Sequence, residues 1–327
     1  MPKAKQTREE IIAGLCRKFP TASTNSLADR LHREHPAIFP NINTARCAIR
    51  HRRGVRGARS RAVAHITRLP PLPESLAGAW QPFSIEARRV LVLSDLHIPF
   101  QSNHAVAAAL GYGDEYKPTA VLINGDLFDF YQISRFDKNP TLASVSSELL
   151  AGGQFLDHLR KRYPKAELYF KLGNHDERWA SYIFKAAPLL ADVPGILDHW
   201  HKPAGIERNR VTVIGEQRPV MLGKLPILHG HELGRGISSP VNPARGAFLR
   251  AHHTILVGHS HQTSGHADTN IFHTETFCWS TGCLCCITPE YARVNRWNHG
   301  FACVTVDKDG NFDVQNLRIA NGAVRTS

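Results

Sequence analysis

Five short apolar runs punctuate the middle of the chain: residues 90–93 (VLVL), 120–123 (AVLI), 168–170 (LYF), 225–228 (LPIL) and 254–257 (TILV). Each is shorter than a helix needs and rich in aliphatic, β-branched or aromatic side chains, so each predicts a buried strand. Stretches with helical spacing fall at 103–112, 144–161, 176–187 and 243–252. Strands alternating with helices predict an α/β domain. After Gly258 the pattern turns strand-rich, at 271–279, 301–306 and 312–318, with Asp307-Lys308-Asp309-Gly310-Asn311 predicting a hairpin turn. No internal repeat is visible.

The first fifty or so positions follow a different rhythm. Thr7 with Glu10 three positions on is a capping-box signature ahead of apolar residues at 11, 12, 15 and 16, and Pro20 ends the segment. A second helix is predicted from Thr24 with Leu27, Ala28 and Leu31 inward, and a third from Asn43 with Ala45, Ala48 and Ile49 inward. Three short helices in this space resemble a helix-turn-helix module. The expected organisation is therefore a small all-α, nucleic-acid-binding module at 1–55, an Arg- and Pro-rich linker at 56–85, and the large domain at 86–327.

Charge sharpens that division. Of the chain's net +12, +10 falls on residues 1–80, which hold 15 Lys and Arg against 5 Asp and Glu. Arg46, Arg50, Arg52, Arg53, Arg56, Arg59, Arg61 and Arg68 stand together with no lysine and no acid among them. Guanidinium forks match phosphate oxygens in shape as well as charge, so this run is expected to contact nucleic acid, DNA in preference to RNA. A solvated linker, or an arm packed on another subunit of a homo-oligomer, is the alternative. No apolar stretch approaches the roughly 18–20 residues of a membrane span, and the basic start lacks a following apolar run, so a cytoplasmic protein without a membrane partner is expected. Seven cysteines then read as reduced thiols. Cys283, Cys285 and Cys286 lack the second pair of a structural zinc site and are expected to be buried.

Each central run is followed by a polar fragment: Ser94-Asp95-Leu96-His97, Gly125-Asp126-Leu127-Phe128-Asp129, Gly173-Asn174-His175-Asp176, His229-Gly230-His231 and Gly258-His259-Ser260-His261. In open α/β sheets the loops at the carboxyl ends of strands line the ligand crevice, where side chains distant in sequence converge. Asp95 and His97 are two apart in a segment expected to be extended, so both point one way, as do His259 and His261. A donor set of carboxylate oxygen and imidazole nitrogen suits Mn, Fe or Zn better than Ca or Mg.

With these five ordered fragments the chain is similar, over roughly residues 89–306, to the calcineurin-like metallophosphoesterase superfamily. That group includes protein phosphatases, cyclic-nucleotide phosphodiesterases and DNA-repair nucleases of the SbcD type, and the basic head on a compact phosphoesterase also resembles phage-encoded proteins. The resemblance implies a four-layer αββα sandwich of two mixed β-sheets flanked by helices. It implies two divalent ions, manganese first and iron or zinc as alternatives, with Asp95, His97, Asp126 and His261 on one and Asp126, Asn174, His229 and His259 on the other. Two such ions about 3.5–4 Å apart lower the pKa of a shared water, so a metal-bridging hydroxide would attack phosphorus. His175 is by resemblance the general acid, its ring held by Asp129, with Asp176 able to share that role; His231 is the alternative to His229. Tyr131, Arg135, Arg178, Arg235 and Arg245 are candidates to clamp phosphate or stack a base.

The expected function is a two-metal phosphodiesterase or nuclease that its basic head concentrates on a polyanion. The alternatives are a phosphomonoesterase or small-nucleotide phosphodiesterase whose arm binds a partner, and a nucleic-acid-binding regulator with an inactive metal site.

Overall fold

A computed structural model describes residues 7–54, 58, 72–139, 141–234 and 241–326. The chain divides into two units, residues 1–78 and 79–327.

In the first unit, α1 (Arg8–Lys18), α2 (Thr24–Glu34) and α3 (Ile42–Arg53) pack around Ile11, Leu27, Leu31, Phe39, Ala45 and Ile49. The Thr7 hydroxyl accepts from the Glu10 N–H while the Glu10 carboxylate accepts from the Thr7 N–H, closing the capping box, and Ser23 and Asn41 cap the next two helices. Seven residues, 35–41, separate α2 from α3, longer than the three- or four-residue turn of a helix-turn-helix. One arginine expected to face nucleic acid does something else. Arg53 donates to the carbonyls of Ala22 (2.7 Å), Phe19 (3.2 Å) and Pro20 (3.2 Å), locking α3 onto the α1–α2 corner. Arg46 donates to Asn43 Oδ1, Arg52 is half-buried and Arg50 is exposed. Arg56, Arg59, Arg61 and Arg68 lie outside the described residues.

The second unit is the expected four-layer αββα sandwich. One sheet runs β13 (Ala323–Thr326), β12 (Phe312–Ala320), β11 (His299–Val306), β2 (Arg89–Leu93), β3 (Ala120–Asn124), β4 (Glu167–Lys171), β5 (Val211–Ile214). The other runs β1 (Phe83–Ile85), β6 (Val220–Leu222), β7 (Leu225–Leu228), β8 (Ile255–Val257), β10 (Glu275–Ser280), β9 (Ser264–Thr269). Both mix parallel and antiparallel pairs.

Strand alternation builds the layers. Val90, Val92, Ala120 and Leu122 meet Val220, Leu225, Ile227 and Leu256 between the sheets. Their neighbours Leu91, Leu93, Val121 and Ile123 face the other way, onto α4 (Asn103–Tyr116) and α5 (Val145–Arg162) through Ala109, Leu156 and Leu159. Beyond the second sheet, Leu228, Ile255 and Val257 pack on Ala244 and Ala247 of α7 (Pro243–Ala251), while α6 (Arg178–Ala186) follows β4. Strands covered on both faces read as continuous apolar runs, which is why the five central strands stand out in the sequence.

Two expectations about elements change. The helix from 103 continues to Tyr116, and of the strand expected at 271–279 only the part from Glu275 is strand (β10), residues 270–274 being the turn from β9, where Asn270 Oδ1 accepts from the N–H groups of Phe272 and Thr274. Strand β9 (SGHADT) is a largely exposed edge with no apolar face to mark it.

Candidate metal centre

The carboxyl ends of β2, β3, β4, β7 and β8 deliver the five polar fragments to one place, but not by the extended geometry that alternation suggests. Asp95, His97, Asp126, His259 and His261 all have left-handed backbone (φ 56, 49, 53, 64 and 56°). Such conformations cost a non-glycine residue about 1 kcal/mol or more and persist where surrounding bonds over-determine them. Here Asp95 N–H donates to Gly125 O (3.1 Å) and His97 N–H to Asp126 O (2.9 Å). Gly173 is required by close approach: a Cβ there would strike the Asp126 carboxylate and amide.

Asp95 Oδ1 lies 3.1 Å from His261 Nε2 and 3.9 Å from His229 Nε2. Asp126 Oδ2 lies 3.3 Å from His229 Nε2 and 3.6 Å from His97 Nε2, and the His97 and His261 Nε2 atoms are 3.3 Å apart. Asp126, His229 and His259 form one group able to hold a metal ion; His97 joins a second with Asp126 and His175 and a third with His261 and Cys285. Asp95 Oδ1, Asn174 Oδ1 and His229 Nε2 are buried without a hydrogen-bond partner among the described residues. Buried orphans of this chemistry are costly unless a cation meets them, so the donor set fits divalent metal.

Protonation shows the same demand. Burial alone would raise the Asp95 and Asp126 pKa values, yet His261 and His229 hold the first well below the carboxylate range, and His229 and His175 the second. Against burial, Asp126 and Asp95 push His229 up to about 10, and Asp95 raises His261. Burial and the charge on His229 push His259 down to about 4. The carboxylates seek positive charge at the Nε2 positions, which a divalent ion would supply.

A polar layer behind these atoms fixes their directions. His229 Nδ1 donates to Asn124 O (2.7 Å), turning Nε2 toward Asp126. His231 instead lies between Glu177 (3.3 Å) and Glu232 (3.5 Å), so His229 is the imidazole that meets Asp126. The Asp129 carboxylate stands 2.9 Å from both His97 Nδ1 and His175 Nδ1, and these hydrogen bonds depress its pKa despite burial. Asp176 does not orient His175 as expected. Its carboxylate accepts from the N–H groups of Asp126 (2.7 Å), Gly173 (2.8 Å) and Phe128 (3.0 Å), tying two fragments together, while burial and then Asp126 raise its pKa to about 7.

Behind the His229 loop sits a pair without a sequence signal. Lys171, fully buried, places Nζ 2.6 Å from Glu232 Oε1 and donates to Arg218 O, while the Glu232 carboxylate accepts from the N–H groups of His229 (3.2 Å) and Gly230 (2.7 Å). Burial would raise the Glu232 pKa, but Lys171 and then His231 hold it at about 2, below the ordinary 4.5. Breaking a buried pair by removing one partner leaves an uncompensated charge, so Lys171→Met is expected to lose about 3–5 kcal/mol in a urea titration. In the wild type the Glu232 contribution is complete above pH 4.5 and fades as pH falls toward about 2; without Lys171 burial raises the Glu232 pKa, so this acid-side loss shrinks and the gap between variant and wild type narrows as pH falls. Equal stability of the two proteins at neutral pH would show the pair to be energetically idle.

The substrate candidates scatter. Arg178 reaches the site, donating through Nη1 to Asp129 O (2.7 Å) and through Nη2 to His175 Nε2 (3.0 Å). Tyr131 packs on Phe100 and its hydroxyl accepts from Asn139 N–H. Arg135 lies over the exposed Phe136 ring, and Arg245 sits in the first turn of α7. Arg235 lies outside the described residues. Of the cysteine cluster, Cys283 and Cys285 are buried, with Cys285 Sγ 3.8 Å from His261 Nδ1, but Cys286 is exposed at the start of an excursion from the core. Residues that sequence reasoning passed over include Lys171, Glu232, Tyr291 and Trp297.

Two mixed sheets between helix layers, with paired aspartates and histidines gathered on the loops at strand ends, define a metallophosphoesterase. The chain belongs to the calcineurin-like phosphoesterase family, whose model matches residues 88–273. It is similar to the gene 54 protein of Mycobacterium phage L5, 26% identical over 233 residues that cover 68% of this chain and 90% of that one. The gene 54 protein of Mycobacterium phage D29 is 29% identical over 182 residues, covering 54% and 70%. Among solved structures, vacuolar protein sorting 29 from Cryptosporidium parvum aligns with a TM-score of 0.40 at 15% identity, over 74% of this chain and 96% of that one. Among the described residues, no helix is long and apolar enough to cross a membrane.

Proposed function

We propose that this phosphoesterase is a two-metal phosphodiesterase that cuts nucleic acid. Asp95, His97, Asp126 and His261 would hold one divalent ion, manganese by preference, and Asp126, Asn174, His229 and His259 the other. When bound, the ions would neutralise phosphoryl oxygens and lower the pKa of water. The observation that carries the reading is the Asp129 carboxylate shared between His97 and His175 at 2.9 Å each, with the two rings 4.3 Å apart. It would orient the imidazole that serves as acid beside one that binds metal. Arg178, which donates to Asp129 O and contacts His175 Nε2, would turn to the substrate phosphate, and His175, held through Nδ1 by Asp129, would then protonate the departing oxygen from the freed Nε2–H. Free thiols at all seven cysteines suit a reducing, cytoplasmic setting.

The polyanion half of the reading rests on the +10 carried by residues 1–80. Cleavage of long DNA by the whole chain and by residues 79–327, measured across salt concentrations, tests it. For the whole chain log KM should climb with log salt, each phosphate contact adding about 0.7–0.9 to the slope, and the truncated chain should be weaker and flatter. Hydrolysis of bis-p-nitrophenyl phosphate should be indifferent to both changes. Turnover of small esters with intact DNA would instead identify a small-substrate phosphatase, and no turnover with any metal a binding protein.

A further inference from the structure

The connection from β10 to β11 brings to the metal centre two aromatic rings that the chemistry above leaves unused. Residues 286–298 are rooted in the site at both ends: Cys286 N–H donates to Phe100 O (2.7 Å), three residues beyond His97, and Asn298 N–H donates to His261 O (2.9 Å). Asn295 braces the interior, donating through Nδ2 to the carbonyls of Ile287 (2.7 Å) and Ala292 (2.6 Å) and accepting from Trp297 N–H (2.7 Å). A loop tied at its roots and across its middle holds its side chains in fixed places.

From this loop Trp297 sets its indole against the His261 imidazole, centroids 4.1 Å apart at 64°. Tyr291 meets Trp297 edge to face at 6.3 Å. The Tyr291 residue is 68% exposed overall. Tyr291 therefore stands one ring beyond Trp297, which itself packs on His261, with much of the residue open. A large aromatic held open at the rim of a phosphate-binding cleft, and backed by a second ring, can cover the flat face of a substrate group.

We propose that Tyr291, buttressed by Trp297, is a subsite that stacks one unpaired nucleobase beside the scissile phosphodiester, so that the protein takes its nucleic acid as a single strand. The inference rests on the nuclease reading and specifies the substrate within it. Within a duplex both faces of each interior base are covered by neighbours, so away from the ends a protein ring gains a stacking partner only from a base that has left the stack. Trp297 acts through His261 as well, which makes Tyr291 the position to test.

The test uses the whole chain with Mn²⁺ and compares wild type, Tyr291→Ala and Tyr291→Phe on four substrates: oligothymidylate, a duplex of equal length, a fully abasic strand of equal length, and bis-p-nitrophenyl phosphate. Metal content of each variant checks that its site is retained. Tyr291→Ala should raise KM for oligothymidylate about tenfold with little change in kcat, and Tyr291→Phe should behave as wild type. On the abasic strand all three proteins should be alike, because no base is there to stack, and the wild-type preference for single strand over duplex should shrink in Tyr291→Ala. An unchanged KM on oligothymidylate, or an equal loss on the abasic strand, overturns the subsite. Hydrolysis of bis-p-nitrophenyl phosphate with every strand left intact overturns the nuclease reading, and the subsite falls with it.

Discussion

Asp126→Asn is expected to lower turnover of every substrate by about 10³-fold or more and to strip the purified protein of metal. The expectation follows from how much converges on one side chain. Asp126 Oδ2 lies 3.3 Å from His229 Nε2 and 3.6 Å from His97 Nε2, Oδ1 accepts from His175 N–H (2.9 Å), and the backbone N–H and C=O of Asp126 are bonded to Asp176 and His97. Asparagine keeps the size and the loop, so the change is chiefly electrostatic. On the proposed two-ion reading, removing this charge would weaken the hold on both cations and would place an amide where an anion offset their repulsion. Metal content measured by mass spectrometry is the primary readout, and it is independent of any choice of substrate. Two ions per chain together with wild-type turnover would remove Asp126 from its bridging role.

How far the sequence foretells this site depends on where each residue's partners lie. The central strands are covered on both faces and therefore announce themselves as unbroken apolar runs, and the residues directly after them fall at the crevice by the geometry of parallel strands. Asp95, Asp126, Asn174, His229 and His259 are placed by that rule alone. The turns that aim them are not legible, because a left-handed aspartate or histidine leaves no mark in an apolar pattern. Nor is the Lys171–Glu232 pair, whose members are unremarkable charges, one at the end of β4 and one in the turn after β7, until folding buries both. Asp176 follows the same logic: its motif suggests a partner for His175, but its oxygens go to three backbone N–H groups. Arg53 stands in a run that looks uniform in sequence, yet its contacts are with carbonyls more than thirty residues away. Tyr291 and Trp297 reach the site through a braced loop with no periodicity to reveal it.

His175→Ala should divide substrates by their leaving groups. On oligonucleotides the departing oxygen is a strongly basic sugar alkoxide, and losing its proton donor should cost about 10²–10⁴ in kcat. p-Nitrophenolate is stable without a proton, so bis-p-nitrophenyl phosphate should lose far less. The substitution separates the ring from the backbone: alanine retains the N–H that donates to Asp126 Oδ1, and Arg178 retains its bond to Asp129 O. Asp129→Asn should behave differently, because the Asp129 carboxylate lies against His97 as well as His175. Its loss frees a metal-binding imidazole along with the acid, so both esters should slow and metal affinity should fall about 10–100-fold. Parallel losses on both esters in His175→Ala would mean that the ring holds the centre together and that another group delivers the proton. A loss confined to the oligonucleotide, set against losses on both esters in Asp129→Asn, would place the proton on His175 and the orientation of both rings on Asp129.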